Sequence, residues 1–191
     1  MNWKDRLKSD LEDILGEPDP RARLSAYHDM PYAIFHYPPE DEFDVRGELD
    51  LLATRLENKG KRVTRVSLAE CLFDAIAAEG YSAQDMLENE PVTGVHTMVD
   101  TVHSFLESSR PLVELVAARL PSERSPTKDV VLLNRTGALF PVYRANALLE
   151  QMKGRLNVPA VLFYPGEMEG PTGLRFMGVL DPDFNYRPRI F

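Results

Sequence analysis

Cysteine is almost absent: Cys71 stands alone among 191 residues, so no internal disulfide can form and a reducing cytoplasm is the compartment that fits. Long apolar runs are missing as well. The longest, Val158 to Tyr164, falls far short of the roughly 20 residues that cross a bilayer as a helix. The first residues are charged (Lys4, Asp5, Arg6, Lys8) where an export signal would be apolar. The expected location is therefore cytoplasmic, with no membrane contact. Positive charge is in deficit: 22 Lys and Arg against 30 Asp and Glu leave a net charge of −8. A surface of that average sign repels phosphate, which disfavours strong direct nucleic-acid binding. The local basic spot of Lys59, Lys61, Arg62 and Arg65 reads as a solvated strand end.

Chemical motifs are missing too. Gly60-Lys61 looks like the end of a phosphate-gripping loop, but Arg55 fills the first glycine position and Arg62 the hydroxyl position. There is no dinucleotide fingerprint, no Gly-x-Ser-x-Gly elbow and no Cys–His pairing. The expectation is no catalytic residue, no metal and no cofactor. Two clusters imitate sites. Glu40, Asp41, Glu42, Asp44, Glu48 and Asp50 carry the carboxylates a magnesium site needs, yet acidic residues in a first helical turn already favour the helix dipole. His96, Asp100, His103 and Glu107 share one stripe at helical spacing, and no second His or Cys segment completes a metal shell. His28 and His36 are isolated, and Cys71 sits among apolar neighbours that mark it as packing.

What remains is a globular composition, 43% hydrophobic and 27% charged, enough for one domain spanning 1–191. Trp3, Leu7, Leu11 and Ile14 line one face of an N-terminal helix over 1–17, which is either an arm or part of the body. Strands are expected at 32–37, 61–66, 130–133, 158–164 and 174–179, separated by helices at Val45 to Leu56, Leu68 to Ile76, Val95 to Leu120, with Pro111 as a candidate break, and Val142 to Leu149. Pro141 suits the first turn of the last helix. Alternating strands and helices make right-handed crossovers. The fold class is therefore α/β: a mainly parallel sheet of about five strands flanked by helices, with an antiparallel C-terminal hairpin. Three turns then share the carboxyl rim of the sheet, after Tyr37, after Leu133 and after Tyr164, and that rim is where such sheets meet ligands and partners.

The segments Tyr32-Ala33-Ile34-Phe35-His36-Tyr37-Pro38-Pro39-Glu40 with Arg46, Asp129-Val130-Val131-Leu132-Leu133 before Gly137, Phe140-Pro141 with Arg144, Val161-Leu162-Phe163-Tyr164-Pro165-Gly166 before Leu174-Arg175-Phe176, and Tyr186-Arg187 together resemble the BrxB family of bacteriophage exclusion (BREX) defence systems. The likeness runs through residues 30–191 in order. It departs from the family pattern at Asn134-Arg135-Thr136-Gly137, where a more glycine-rich turn is usual. The resemblance implies a small accessory subunit of an antiviral, phage-resistance complex. It would act beside a PglZ-like protein of the alkaline-phosphatase superfamily, a large ATPase and a DNA methyltransferase.

The empty motif search fits a non-catalytic protein-protein interaction subunit, and the resemblance implies the PglZ-like protein as its direct partner. Its contact residues would be Tyr37, Pro38, Pro39, Glu40, Arg46, Tyr164, Pro165, Gly166, Tyr186 and Arg187. Rigid prolines lose little entropy on binding, and amphipathic rings with a fixed charge suit an interface. Two other readings stand beside it: a nucleotide-binding domain whose phosphate grip has decayed, and a metal-dependent phosphohydrolase or nuclease resting on the acidic cluster and the histidine stripe.

Overall fold

In β1 (Tyr32–Tyr37) five of the six residues are buried, so side chains pointing to both faces need cover and the strand must sit inside a sheet between two layers. The computed structural model, which describes residues 2–25, 30–184 and 186–191, shows that arrangement. His28 lies outside the described residues. The remaining strands are β2 (Arg62–Ser67), β3 (Asp129–Asn134), β4 (Ala160–Glu169), β5 (Gly173–Phe176) and β6 (Arg189–Ile190). They form a six-stranded sheet in the order β2-β3-β4-β1-β6, with β5 paired to β4. All pairings are parallel except β4 with β5.

The expected α/β fold is what forms. One correction concerns the strand ends. β4 runs on to Glu169, leaving the parallel sheet at Pro165 and entering the hairpin at Gly166. Gly166 is required there, because a Cβ would sit 2.6 Å from the Tyr164 ring and meet the Arg175 carbonyl. β6 was not anticipated from the sequence: two residues are too few for a periodicity to register.

Two apolar cores cover the sheet. The first lies under α5 (Leu68–Ala78), α7 (Val95–Ser104), α8 (Leu112–Ala117) and α9 (Ala145–Met152). The second is built by α4 (Glu42–Asn58) and the N-terminal helix against Phe35, Tyr37, Val161 and Phe163. That N-terminal helix consists of α1 (Trp3–Arg6) and α2 (Asp13–Leu15) joined by a wider turn over Leu7–Glu12. Trp3, Leu7, Leu11 and Ile14 are all buried, so the helix packs into the body as a layer and is not an arm. A short α3 (Arg21–Leu24) follows.

Two helical details differ from expectation. α6 (Ala83–Thr93) forms behind a capping box in which Ser82 and Asp85 satisfy each other's backbone, where the sequence predicts no helix. Pro141 precedes α9 by a turn and does not open the helix. The stretch from Val95 breaks at Pro111, the position the sequence marks for a break, and resumes as α8.

The N-terminal helix gives a direct test of this packing. Leu11→Ala removes a side chain with no exposed surface and is expected to cost about 3 kcal/mol in urea unfolding. A loss below about 1 kcal/mol would mean that the helix is detached.

Candidate functional site

Because β1, β3 and β4 run parallel, their carboxyl ends open on one rim, and the register places Tyr37 beside Pro165 and His36 beside Tyr164. The turn after β1 is clamped from beneath. Tyr37 is 0% exposed, and its hydroxyl donates to the Glu42 carboxylate, whose other oxygen accepts from Arg46 Nε at 2.9 Å. Burial, with Glu42 beside it, holds the Tyr37 phenol far above its usual range. Trp3 Nε1 donates to Asp41 at 2.8 Å and Lys4 Nζ to Asp44 at 3.0 Å, tying the N-terminal helix to the same turn. Arg46 thus pairs with Glu42 one turn before it in the helix.

Pro38 and Pro39 are half-buried and Glu40 is exposed. Phe43, one turn further, is 79% exposed, and the Arg46 guanidinium lies 4.8 Å from its ring centroid. Sequence reasoning passed over Phe43. A signal was present: the residue falls opposite the Val45, Leu49, Leu52 and Leu56 stripe, and an aromatic ring on the solvated face of a helix is unusual.

The other predicted contacts divide in two. Tyr164 is buried, accepts a 3.3 Å hydrogen bond from the Tyr186 hydroxyl and packs on Phe176 at 5.2 Å between centroids. Burial pushes the Tyr186 phenol up to about 12. Pro165 and Gly166 are buried as well. Tyr37, Tyr164, Pro165 and Gly166 therefore shape the rim from inside and present no surface of their own. Arg187 is exposed, with Nε 3.6 Å from Glu150.

The turn after β3 carries Arg135 in the left-handed region, φ 57°, a conformation that glycine adopts more freely. Thr136 is buried and donates 2.6 Å to the Phe163 carbonyl, fixing this turn to β4. Arg135, Arg65 and Arg46, together with the carboxylates Asp50 and Glu70, line an open cleft of about 400 Å³. Its arginines are largely answered within the chain: Arg46 by Glu42, and Arg65 by Asp50.

The remaining clusters make pairs within the chain. Lys59 lies 3.5 Å from Glu12 and Arg62 grips Asp129 with two hydrogen bonds of 2.7 and 2.6 Å. Lys61 is buried, with its ammonium on the Glu17 and Thr127 carbonyls. The basic spot is thus an internal set of pairs. Of the acidic series, Asp41, Asp44, Glu42 and Asp50 are taken up by Trp3, Lys4, Tyr37 with Arg46, and Arg65. His96 lies in solvent 4.0 Å from Asp100, and His103 contacts the Val142 carbonyl at 2.8 Å. Among the described residues no group of three or more His, Cys, Asp or Glu is placed to hold a metal ion. Cys71 is buried, and that burial pushes its thiol up to about 11.

The fold and rim define an α/β protein of mainly parallel sheet, whose carboxyl-end turns carry prolines and buried tyrosines where a nucleotide-binding relative would carry glycines. The chain belongs to the BrxB family: the family model described as BREX protein BrxB matches residues 64–190. A protein named BREX protein BrxB from Bacillus cereus (strain H3081.97) is 27% identical over 189 residues, covering 95% of each chain, and so reaches beyond the start of the family match. Another of that name from Escherichia coli O9:H4 (strain HS) is 22% identical over 144 residues, 75% of this chain and 69% of the relative. No solved structure matches the chain significantly. Membership makes it a component of a BREX antiviral defence system. Among the described residues, no helix is long and apolar enough to cross a membrane.

His36 gives the rim a measurable pH dependence. Arg6 Nη1 lies 2.7 Å from its Nε2, and a guanidinium only donates, so Nε2 accepts and the ring proton sits on Nδ1. Burial, then the Arg6 charge, lowers the imidazole to about 4 from an ordinary 6.5, offset only in part by the Gly166 backbone. The unfolded chain therefore binds the extra proton first as pH falls. Stability from this group is complete above pH 6.5 and is lost as pH drops towards 4. Urea unfolding should show wild type losing on the order of 2 kcal/mol more than His36→Gln across that window. Equal pH slopes in the two proteins would refute the assignment.

Proposed function

We propose that this chain is a non-catalytic accessory subunit of its BREX assembly, acting in the cytoplasm and held by a PglZ-like partner at the carboxyl rim of the sheet. The observation that supports this is the step formed by Pro38, Pro39, Glu40, Phe43 and Arg46. It pairs an exposed ring with a stacked arginine, the residue types that dominate binding energy at interfaces. The step is rigid before any partner arrives, because Tyr37, Glu42, Asp41 and Trp3 fix it from below, so little ordering entropy opposes binding. Arg187 and the outer edge of Tyr186 extend the contact; Tyr164, Pro165 and Gly166 act as its support. The ATPase and methyltransferase of the same system are further candidates for neighbours.

Co-expression with the neighbouring BREX subunits tests this. The double variant Glu40→Ala, Phe43→Ala is expected to reduce co-purified PglZ-like protein by about tenfold or more, with a melting midpoint within about 2 °C of wild type. Undiminished co-purification would remove the rim from the interface.

The arginine-lined cleft favours one second reading, a residual anion site for a nucleotide. Calorimetry with ATP and magnesium decides it. Saturable binding in the micromolar range, weakened by Arg135→Ala, supports that reading, and an absence of heat retires it.

A further inference from the structure

α6 has no buried residue at all, although it carries Met86, Leu87 and Val92. Leu87 is 64% exposed, and beside it Phe73 of α5 and Val95 of α7 are 50% and 59% exposed. These side chains border an open apolar groove of about 530 Å³ between α5, α6 and α7, floored by Ile76, Val102 and Phe140. Contiguous exposed apolar surface of this kind marks a docking site more often than an accident of folding. Three helices flanking a trough is the geometry that accepts another helix through apolar anchors at i, i+3 or i+4, and i+7.

The charge around the groove selects the occupant. From Val66 to Ser109 the chain contains eight Asp and Glu and no Lys or Arg. Glu90 stands in the groove wall itself. A second copy of this face would bring like charges together, and anionic lipid or nucleic acid would be repelled in the same way. An apolar segment flanked by cations is attracted on both counts.

We infer that this groove, on the interaction-subunit reading above, is a second docking surface that takes a basic amphipathic helix from a partner protein. The apolar face of that helix covers Phe73, Leu87 and Val95, and its Lys or Arg residues meet the acidic margin.

The test uses the full purified chain and two labelled synthetic peptides. They share one apolar helical face, and one is flanked by Lys and Arg, the other by Glu. Fluorescence anisotropy should show saturable binding of the basic peptide, at least about tenfold tighter than its acidic twin and weakened several-fold by raising salt from about 50 to about 300 mM. Leu87→Glu, and separately Val95→Glu, should each weaken it by about tenfold or more. Both positions are exposed, so the melting midpoint should hold, and Phe43→Ala on the rim should leave peptide binding unchanged. Equal affinity for the two peptides, indifference to both groove variants, or a dimer in sedimentation that Leu87→Glu dissolves would each overturn the assignment. No other BREX subunit is present in this assay, so its failure leaves the rim interface standing, whereas loss of the rim interface is read only in co-purification.

Discussion

The parallel pairing of β1 with β4, unbroken from Tyr32 with Ala160 to Tyr37 with Pro165, is the constraint from which the rest of the molecule follows. A strand with most of its residues buried and neighbours on both sides cannot leave either face to water. Odd and even positions of β1 feed different cores: Tyr32 and Ile34 the first, Ala33, Phe35 and Tyr37 the second. Each core then needs its own helical cover. The segment between β2 and β4 supplies the first, leaving α4 and the residues before β1 to supply the second. The N-terminal helix is thus the missing half of a layer, and its Trp3 and Lys4 reach the rim because that layer ends there.

The same geometry decides what the rim can do. Chain leaving β1 turns into α4 on one face, while chain leaving β4 turns into the hairpin whose Leu174 and Phe176 pack on the other. In open sheets such divergence makes a crevice that a glycine-rich loop lines with amides for a phosphate. Here the crevice edge is made of Pro38 and Pro39, which lack amide hydrogens, and of tyrosines turned inward. The nearby cations have partners of their own. Arg46 is taken up by Glu42 and Arg65 by Asp50. An anion entering this rim must displace those pairs, whereas a flat protein surface need displace none.

How far this was legible in the sequence depends on what each signal measures. Apolar spacing reports which face of an element meets a core, so the N-terminal helix, α4, α5 and the parallel strands β1 to β4 could be read directly. It does not report whether an aromatic residue at a strand end turns inward or outward. Tyr37 and Tyr164 were for that reason taken as contact residues, although both are sealed by a hydrogen-bonded partner, Glu42 for one and Tyr186 for the other. Phe43 carries no such signal for the converse reason, since it stands outside the apolar stripe of its helix. α6 gives little periodicity because Met86 is its one apolar residue against a core while Leu87 and Val92 are exposed. Pairings such as Lys61 with the Thr127 carbonyl join residues far apart in the chain, and no local pattern encodes them.

α6 is also where the energetics of the isolated chain are least complete. An 11-residue helix is below the length at which a helix persists in water without tertiary support. Its support consists of the Ser82–Asp85 capping box and its packing against α7, with Tyr81 stacked on Phe105 at 6.0 Å. Glycines at positive φ, Gly80 and Gly94, bound it on both sides, so it can shift with little backbone cost. Covering the groove would add apolar burial where the subunit has least. The groove lies over the first core, whereas Phe43 and Arg46 stand on α4, which covers the second.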